Sequence, residues 1–179
     1  MEWPKWPQYG AEEAEAVNRV LASQQLFAAH EVRTFEEQFA DYLDCKRAVG
    51  VGNATEGLHL ALASLEVGRG DEVIVTSSSF ISTASCILMQ NAVPIFVDIE
   101  PESLAIDPDL IEDAITPRTK AIIVTHILGY PARIREIMRV ADARNIPVIE
   151  DASHAPGARV EGRMCGTFGA IGVFSLQQR

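Results

Sequence analysis

Five polar clusters in this sequence are placed where chemistry could occur. Asn53, Ala54, Thr55 and Glu56 open a helical stretch, and Ser77, Ser78, Ser79 and Phe80 follow the apolar run Glu72–Thr76. His126, with Gly129 nearby, follows Ala121–Thr125. Asp151, Ser153 and His154 follow Pro147–Glu150, and Ser175, Gln177 and Gln178 follow Ile171–Phe174. A helix N-terminus with hydroxyls binds phosphate. An aromatic ring stacks on a flat heterocycle. A carboxylate at a strand end can pair with a protonated ring nitrogen, and burying one is costly unless it is paired.

Together these groups describe pyridoxal phosphate (PLP), whose ring nitrogen needs an acidic partner if the ring is to act as an electron sink. Plainer readings stand beside this one. Asn53-x-x-Glu56 is a good helix cap in its own right, and capping and phosphate binding can coexist. Phe80 alone reads as core, His154 alone points neither way, and Ser175 alone is unremarkable. His126 reads as structural. Gly166, Gly169 and Gly172 suggest a tight turn. Gly50-Val51-Gly52 begins a dinucleotide fingerprint, but Thr55 stands at its third glycine position.

The elements that must position these residues are legible as an alternation. Helices are expected at the start: Glu12 to Ser23 carries Val17, Val20 and Leu21 on one face, and Thr34-Phe35-Glu36-Glu37 reads as a capping box before Phe35, Phe39 and Leu43, read as core packing. Strands are expected at Ala48–Val51, Glu72–Thr76, Val93–Val97, Ala121–Thr125, Pro147–Glu150 and Ile171–Phe174. Helices are expected near 54–66, 80–90, 108–116 and 133–144. The third of these has Asp107 as cap, Pro108 in its first turn and Leu110, Ile111, Ala114 and Ile115 as its buried stripe. The expected fold is α/β: three layers, α/β/α, around a mostly parallel sheet. Ligands of such sheets bind beyond the carboxyl ends of the strands. The expected division is a helical lead-in, 1–45, and an α/β domain, 46–179.

The 179 residues carry 15 basic and 25 acidic side chains, a net charge of −10. That argues against nucleic acid or an anionic membrane as a partner. No apolar run suits a membrane span, and the opening residues from Met1 to Lys5 lack the pattern of a signal peptide. Cys45, Cys86 and Cys165 are too dispersed for a zinc site or redox pair, so no metal is expected. They read as reduced, mostly buried thiols of a cytoplasmic protein.

At these same residues the sequence resembles the DegT/DnrJ/EryC1/StrS aminotransferases, which are fold-type I PLP enzymes. The resemblance runs through Val51 to Leu60 (VGNATEGLHL), Gly68 to Thr76 (GRGDEVIVT), Phe96 to Pro101 (FVDIEP), Thr116 to Ile122 (TPRTKAI), Val148 to Gly157 (VIEDASHAPG) and Gly166 to Ser175 (GTFGAIGVFS), in family order. It implies roles. Thr55, the backbone at Glu56 and Ser175 would hold the cofactor phosphate, and Phe80 would stack on its ring. Asp151 would pair with the ring nitrogen, and His154 would contact the phenolic oxygen. The cofactor-anchoring lysine would follow Arg179, at position 180. Members are about twice this length, so the resemblance implies an N-terminal portion of the PLP-binding large domain, incomplete at its C-terminus. It further implies a homodimer and transfer of an amino group from an amino acid donor such as glutamate. The acceptor would be a keto-sugar, nucleotide-linked or not, or a keto-cyclitol. A residue other than lysine at 180 would instead imply a sugar dehydratase or a non-catalytic regulatory homologue. Three departures are visible: Asn53-Ala54-Thr55 replaces a common Ser-Gly-Thr, His154 stands where Gln is common although His also occurs, and Ala170 replaces a common acidic residue.

Overall fold

The computed structural model describes residues 8–25, 27 and 29–177; Gln178 and the opening segment from Met1 to Lys5 lie outside them. The chain divides into two compact units, Met1–Gly50 with Gln177–Arg179, and Val51–Leu176.

The first unit contains α1 (Ala11–Ser23) and α2 (His30–Leu43). Each ends on a left-handed residue, Gln24 or Asp44. The expected capping box at Thr34 does not form. Helix α2 starts four residues earlier with Ala29 as its cap, so Thr34 lies inside it with its hydroxyl 3.4 Å from His30 Nδ1. A Thr-x-x-Glu pattern caps only where the preceding backbone leaves the helix. Ala40 and Leu43 are buried, whereas Phe35 stacks on Phe39 and stays exposed, as do Val17 and Leu21.

The second unit runs α3 (Ala54–Ser64), β1 (Glu72–Thr76), α4 (Ser82–Met89), β2 (Val93–Val97), α5 (Pro108–Ala114), β3 (Thr119–Thr125), α6 (Ile134–Arg144) and β4 (Val148–Asp151). The two-residue strands β5 (Arg159–Val160) and β6 (Arg163–Met164) then form a hairpin before β7 (Ile171–Val173). Among the described residues the main sheet has the order β2-β1-β3-β4-β7, and every pairing is parallel. Ala48–Val51 forms no strand. Its two valines flank a glycine and both are exposed, leaving no buried face to fix a pairing register. The dinucleotide reading needed a strand there and loses its context.

Alternation along the strands feeds two cores. Val73, Val75, Ile123 and Ile149 pack with Leu58, Leu62, Cys86 and Ile87 of α3 and α4. Ile74, Ile122, Val124 and Val148 pack with Ile111, Ile134 and Ile137 of α5 and α6. Helices therefore cover both faces, which gives the three-layer α/β/α fold. Each such aliphatic side chain contributes about 1.5–3 kcal/mol by leaving water. In α5, Asp107 accepts the Asp109 N–H at 3.0 Å and Ile111 is fully buried. Leu110 is exposed instead of joining the stripe, because so short a helix covers the core with one narrow face. No described helix is long and apolar enough to cross a membrane.

The chain leaves β1 toward β2 and then crosses back to β3 on its other side. The carboxyl ends of β1 and β3 therefore flank a topological switch point, the usual crevice for a ligand in an open parallel sheet.

Candidate active site

Asp151 ends β4, in register with Thr125 of β3 and Val173 of β7. Its carboxylate is almost fully buried. One oxygen accepts the Thr83 hydroxyl at 3.0 Å, and the other accepts the Ser153 N–H at 3.1 Å. None of the described ion pairs gives it a cation. The Cys86 thiol lies one turn beyond Thr83 on α4. Burial, and then the charge of Asp151, push it up to about 12. A buried carboxylate with two neutral donors and, among the described residues, no cation suits a site that receives a cationic partner.

Helix α3 brings its N-terminus to the same edge. A Cβ on Gly57 would lie 3.0 Å from Val173 Cγ1, a tight contact, so the first turn of α3 sits close against β7. Thr55 precedes that contact by two residues and Ser175 follows it by two; both are half-buried. The helix is also capped from within. Asn53 Oδ1 accepts the Glu56 N–H at 3.0 Å, and Glu56 Oε2 accepts the Gly52 N–H at 3.0 Å. The Glu56 N–H is thus taken by the cap. The N–H groups of Ala54 and Thr55 precede the first intrahelical bond, made by Gly57 to Asn53.

Phe80 follows the Ser77–Ser79 turn after β1. Its side chain is half exposed, unlike a core phenylalanine, and its carbonyl accepts the Thr83 N–H at 3.0 Å. His154 lies just past β4, where its Nδ1 accepts the Leu128 N–H at 3.4 Å; Nε2 remains as the ring's other polar atom. Among the described residues no group of three or more His, Cys, Asp or Glu is placed to hold a metal ion.

The sequence profile of the DegT/DnrJ/EryC1/StrS aminotransferases matches residues 7–179. The chain belongs to that family. It is 42% identical to an L-glutamine:2-deoxy-scyllo-inosose aminotransferase of Streptomyces kanamyceticus, over 98% of this chain and 43% of the relative. The aminotransferase from Psychrobacter cryohalolentis superposes with a TM-score of 0.92 at 40% identity, over 97% of this chain and 44% of that one. A Streptococcus pneumoniae protein named as a sugar aminotransferase, solved in its PLP form, gives 0.92 at 28% identity, over 96% and 47%. The chain spans less than half the length of these relatives.

His126 and Glu150 form a separate buried pair, with His126 Nε2 2.9 Å from Glu150 Oε2. Cys165 and Glu150 outweigh burial in drawing a second proton to this ring, toward about 9. The Ala132 N–H opposes them. It is donated to Nδ1 at 3.1 Å, and a doubly protonated ring would set two N–H groups face to face. We assign the neutral ring, which ties the turn after β3 to β4. The sequence pointed to Asp151 but not to Thr83, its hydroxyl donor 68 residues away. The only local signal was a run of hydroxyl residues, Thr76 to Ser79 and Ser82-Thr83, beside the expected aromatic platform.

Proposed function

We propose that the complete protein is a PLP-dependent aminotransferase that moves an amino group from L-glutamine to the carbonyl of a keto-cyclitol. The observation that carries this reading is Asp151, a buried carboxylate without a described cation at the carboxyl edge of a parallel sheet. The donor set suits PLP: a carboxylate for the ring nitrogen, a half-exposed aromatic ring for its face, and hydroxyls beside a helix N-terminus for its phosphate. When bound, PLP supplies an electron sink for negative charge beside the transferred nitrogen.

The residues divide the work. Asp151 holds a proton on the ring nitrogen. Phe80 supports the ring face, and His154 addresses the phenolic oxygen. Thr55, the open N–H groups at the start of α3 and Ser175 hold the phosphate. The name of the Streptomyces kanamyceticus relative favours glutamine over glutamate as donor. A homodimer is in keeping with the family resemblance.

Incubating the complete protein with PLP, L-glutamine and either 2-deoxy-scyllo-inosose or a nucleotide-linked keto-sugar tests this, with products read by mass spectrometry. Amination of the cyclitol is expected. Amination of the nucleotide sugar alone would overturn the substrate assignment. Loss of water without amine transfer would make the protein a dehydratase, and no turnover of either compound would favour a regulatory role.

A further inference from the structure

We propose that Thr83 is a positioning residue for Asp151, the last of three hydroxyls aligned on that carboxylate to hold it in place as the partner of the cofactor ring nitrogen. The inference rests on the PLP reading above and adds a residue to it. Thr83 is buried, and its hydroxyl lies 3.0 Å from Asp151 Oδ2 and 2.7 Å from the Ser79 hydroxyl. Ser79 in turn lies 3.2 Å from the Thr125 hydroxyl. A carboxylate can only accept, and each hydroxyl has one proton. Thr83 must therefore donate to Asp151, Ser79 to Thr83, and Thr125 to Ser79. Only this order satisfies all three contacts, and it points every O–H dipole toward Asp151.

The three hydroxyls come from different elements: β3, the turn after β1, and the first turn of α4. Such a chain polarises along its length, so the donor that reaches Asp151 is stronger than a lone threonine. The Thr83 hydroxyl and the Ser153 N–H between them hold both oxygens of Asp151 in place before a ligand arrives. A helical threonine ordinarily turns its hydroxyl back to its own helix; this one is spent on another strand.

The test uses complete protein, stripped of cofactor and titrated with PLP. Wild type, Thr83→Val, Thr83→Ser, Asp151→Asn and the double variant Asp151→Asn with Thr83→Val are compared, with thermal melting of each apo-protein. Valine keeps the shape and removes the donor, and should raise the PLP dissociation constant about tenfold or more. Serine restores the donor and should bind like wild type. In the Asp151→Asn background, valine should add less than about twofold, since coupled residues lose their separate effects. Unchanged affinity in Thr83→Val overturns the inference, as does an equal loss in both backgrounds. If Thr83→Val does not fold, Ser79→Ala takes its place, with a loss of about threefold that also vanishes beside Asp151→Asn; no loss overturns the inference. Wild type that takes up no PLP overturns the cofactor reading itself, whereas uptake by wild type with an unaltered Thr83→Val overturns this inference alone.

Discussion

Glu150 and Asp151 are neighbours on β4, and strand alternation sends their side chains to opposite faces of the sheet. Both are buried, but the two faces treat them differently. Glu150 is saturated: it is paired with His126 at 2.9 Å and accepts the backbone N–H groups of Gly166 at 2.8 Å and Gly169 at 2.6 Å. Glycine is required at 169, because a Cβ there would collide with the Val148 carbonyl. Asp151 takes one hydroxyl and one N–H and, among the described residues, no cation. The contrast separates a carboxylate that closes the fold from one kept for a ligand.

Substitution at the two positions should separate them further, and the largest effect is expected at Glu150. Glu150→Ala leaves the His126 N–H and two glycine N–H groups buried without an acceptor. Each buried donor left without an acceptor costs about 1–3 kcal/mol. Urea unfolding of the apo-protein measures it, and a loss under about 1 kcal/mol would mean that Glu150 is not the tie described here. Asp151→Asn should do the reverse. Apo stability should change by less than about 1 kcal/mol, because asparagine is nearly isosteric. Turnover should fall to a small fraction of wild type, and PLP should bind at least as weakly as in Thr83→Val. Near-normal turnover in Asp151→Asn would place the ring nitrogen elsewhere.

How much of this contrast was legible in the sequence depended on distance along the chain. Glu72–Thr76 and Val93–Val97 are strands at the expected bounds: the first is buried throughout, and the second lies at the sheet edge, where Pro94 is tolerated. Asp151 was visible as an acidic residue closing an apolar strand. What closes around it was not. The donor at Thr83 lies on α4, and a Ser-Thr helix start reads the same whether its hydroxyls cap the helix or reach across the sheet. Gly166 and Gly169 read as a turn, and their task of bonding Glu150 depends on tertiary packing. The β5–β6 hairpin escaped notice because two-residue strands have no periodicity, although its Glu161-Gly162 turn has positive φ at both residues.

Phe80→Ala is expected to have an intermediate effect. A fully buried phenylalanine loses about 3–5 kcal/mol on truncation. The half-exposed Phe80 should cost the apo-protein much less, while cofactor retention on dilution falls clearly. Equal losses of melting temperature in the apo and holo forms would make Phe80 a packing residue.

The smallest effect concerns Cys86, beside Asp151. Its thiol is pushed up to about 12 by burial and then by that carboxylate, so the thiolate is scarce until the pH passes well above the ordinary cysteine range. Iodoacetamide at pH 8 should label the half-buried Cys45 first and reach Cys86 only on unfolding. Rapid labelling of Cys86 in the folded protein would contradict the packing around Asp151.

The most direct measurement is the protonation state of the cofactor ring itself. Complete protein loaded with PLP labelled with 15N in the ring reports it by the nitrogen chemical shift. A protonated nitrogen is expected in wild type, and an unprotonated one in Asp151→Asn. The same shift in both proteins, or an unprotonated nitrogen in wild type, would contradict the assignment of Asp151 as the ring partner.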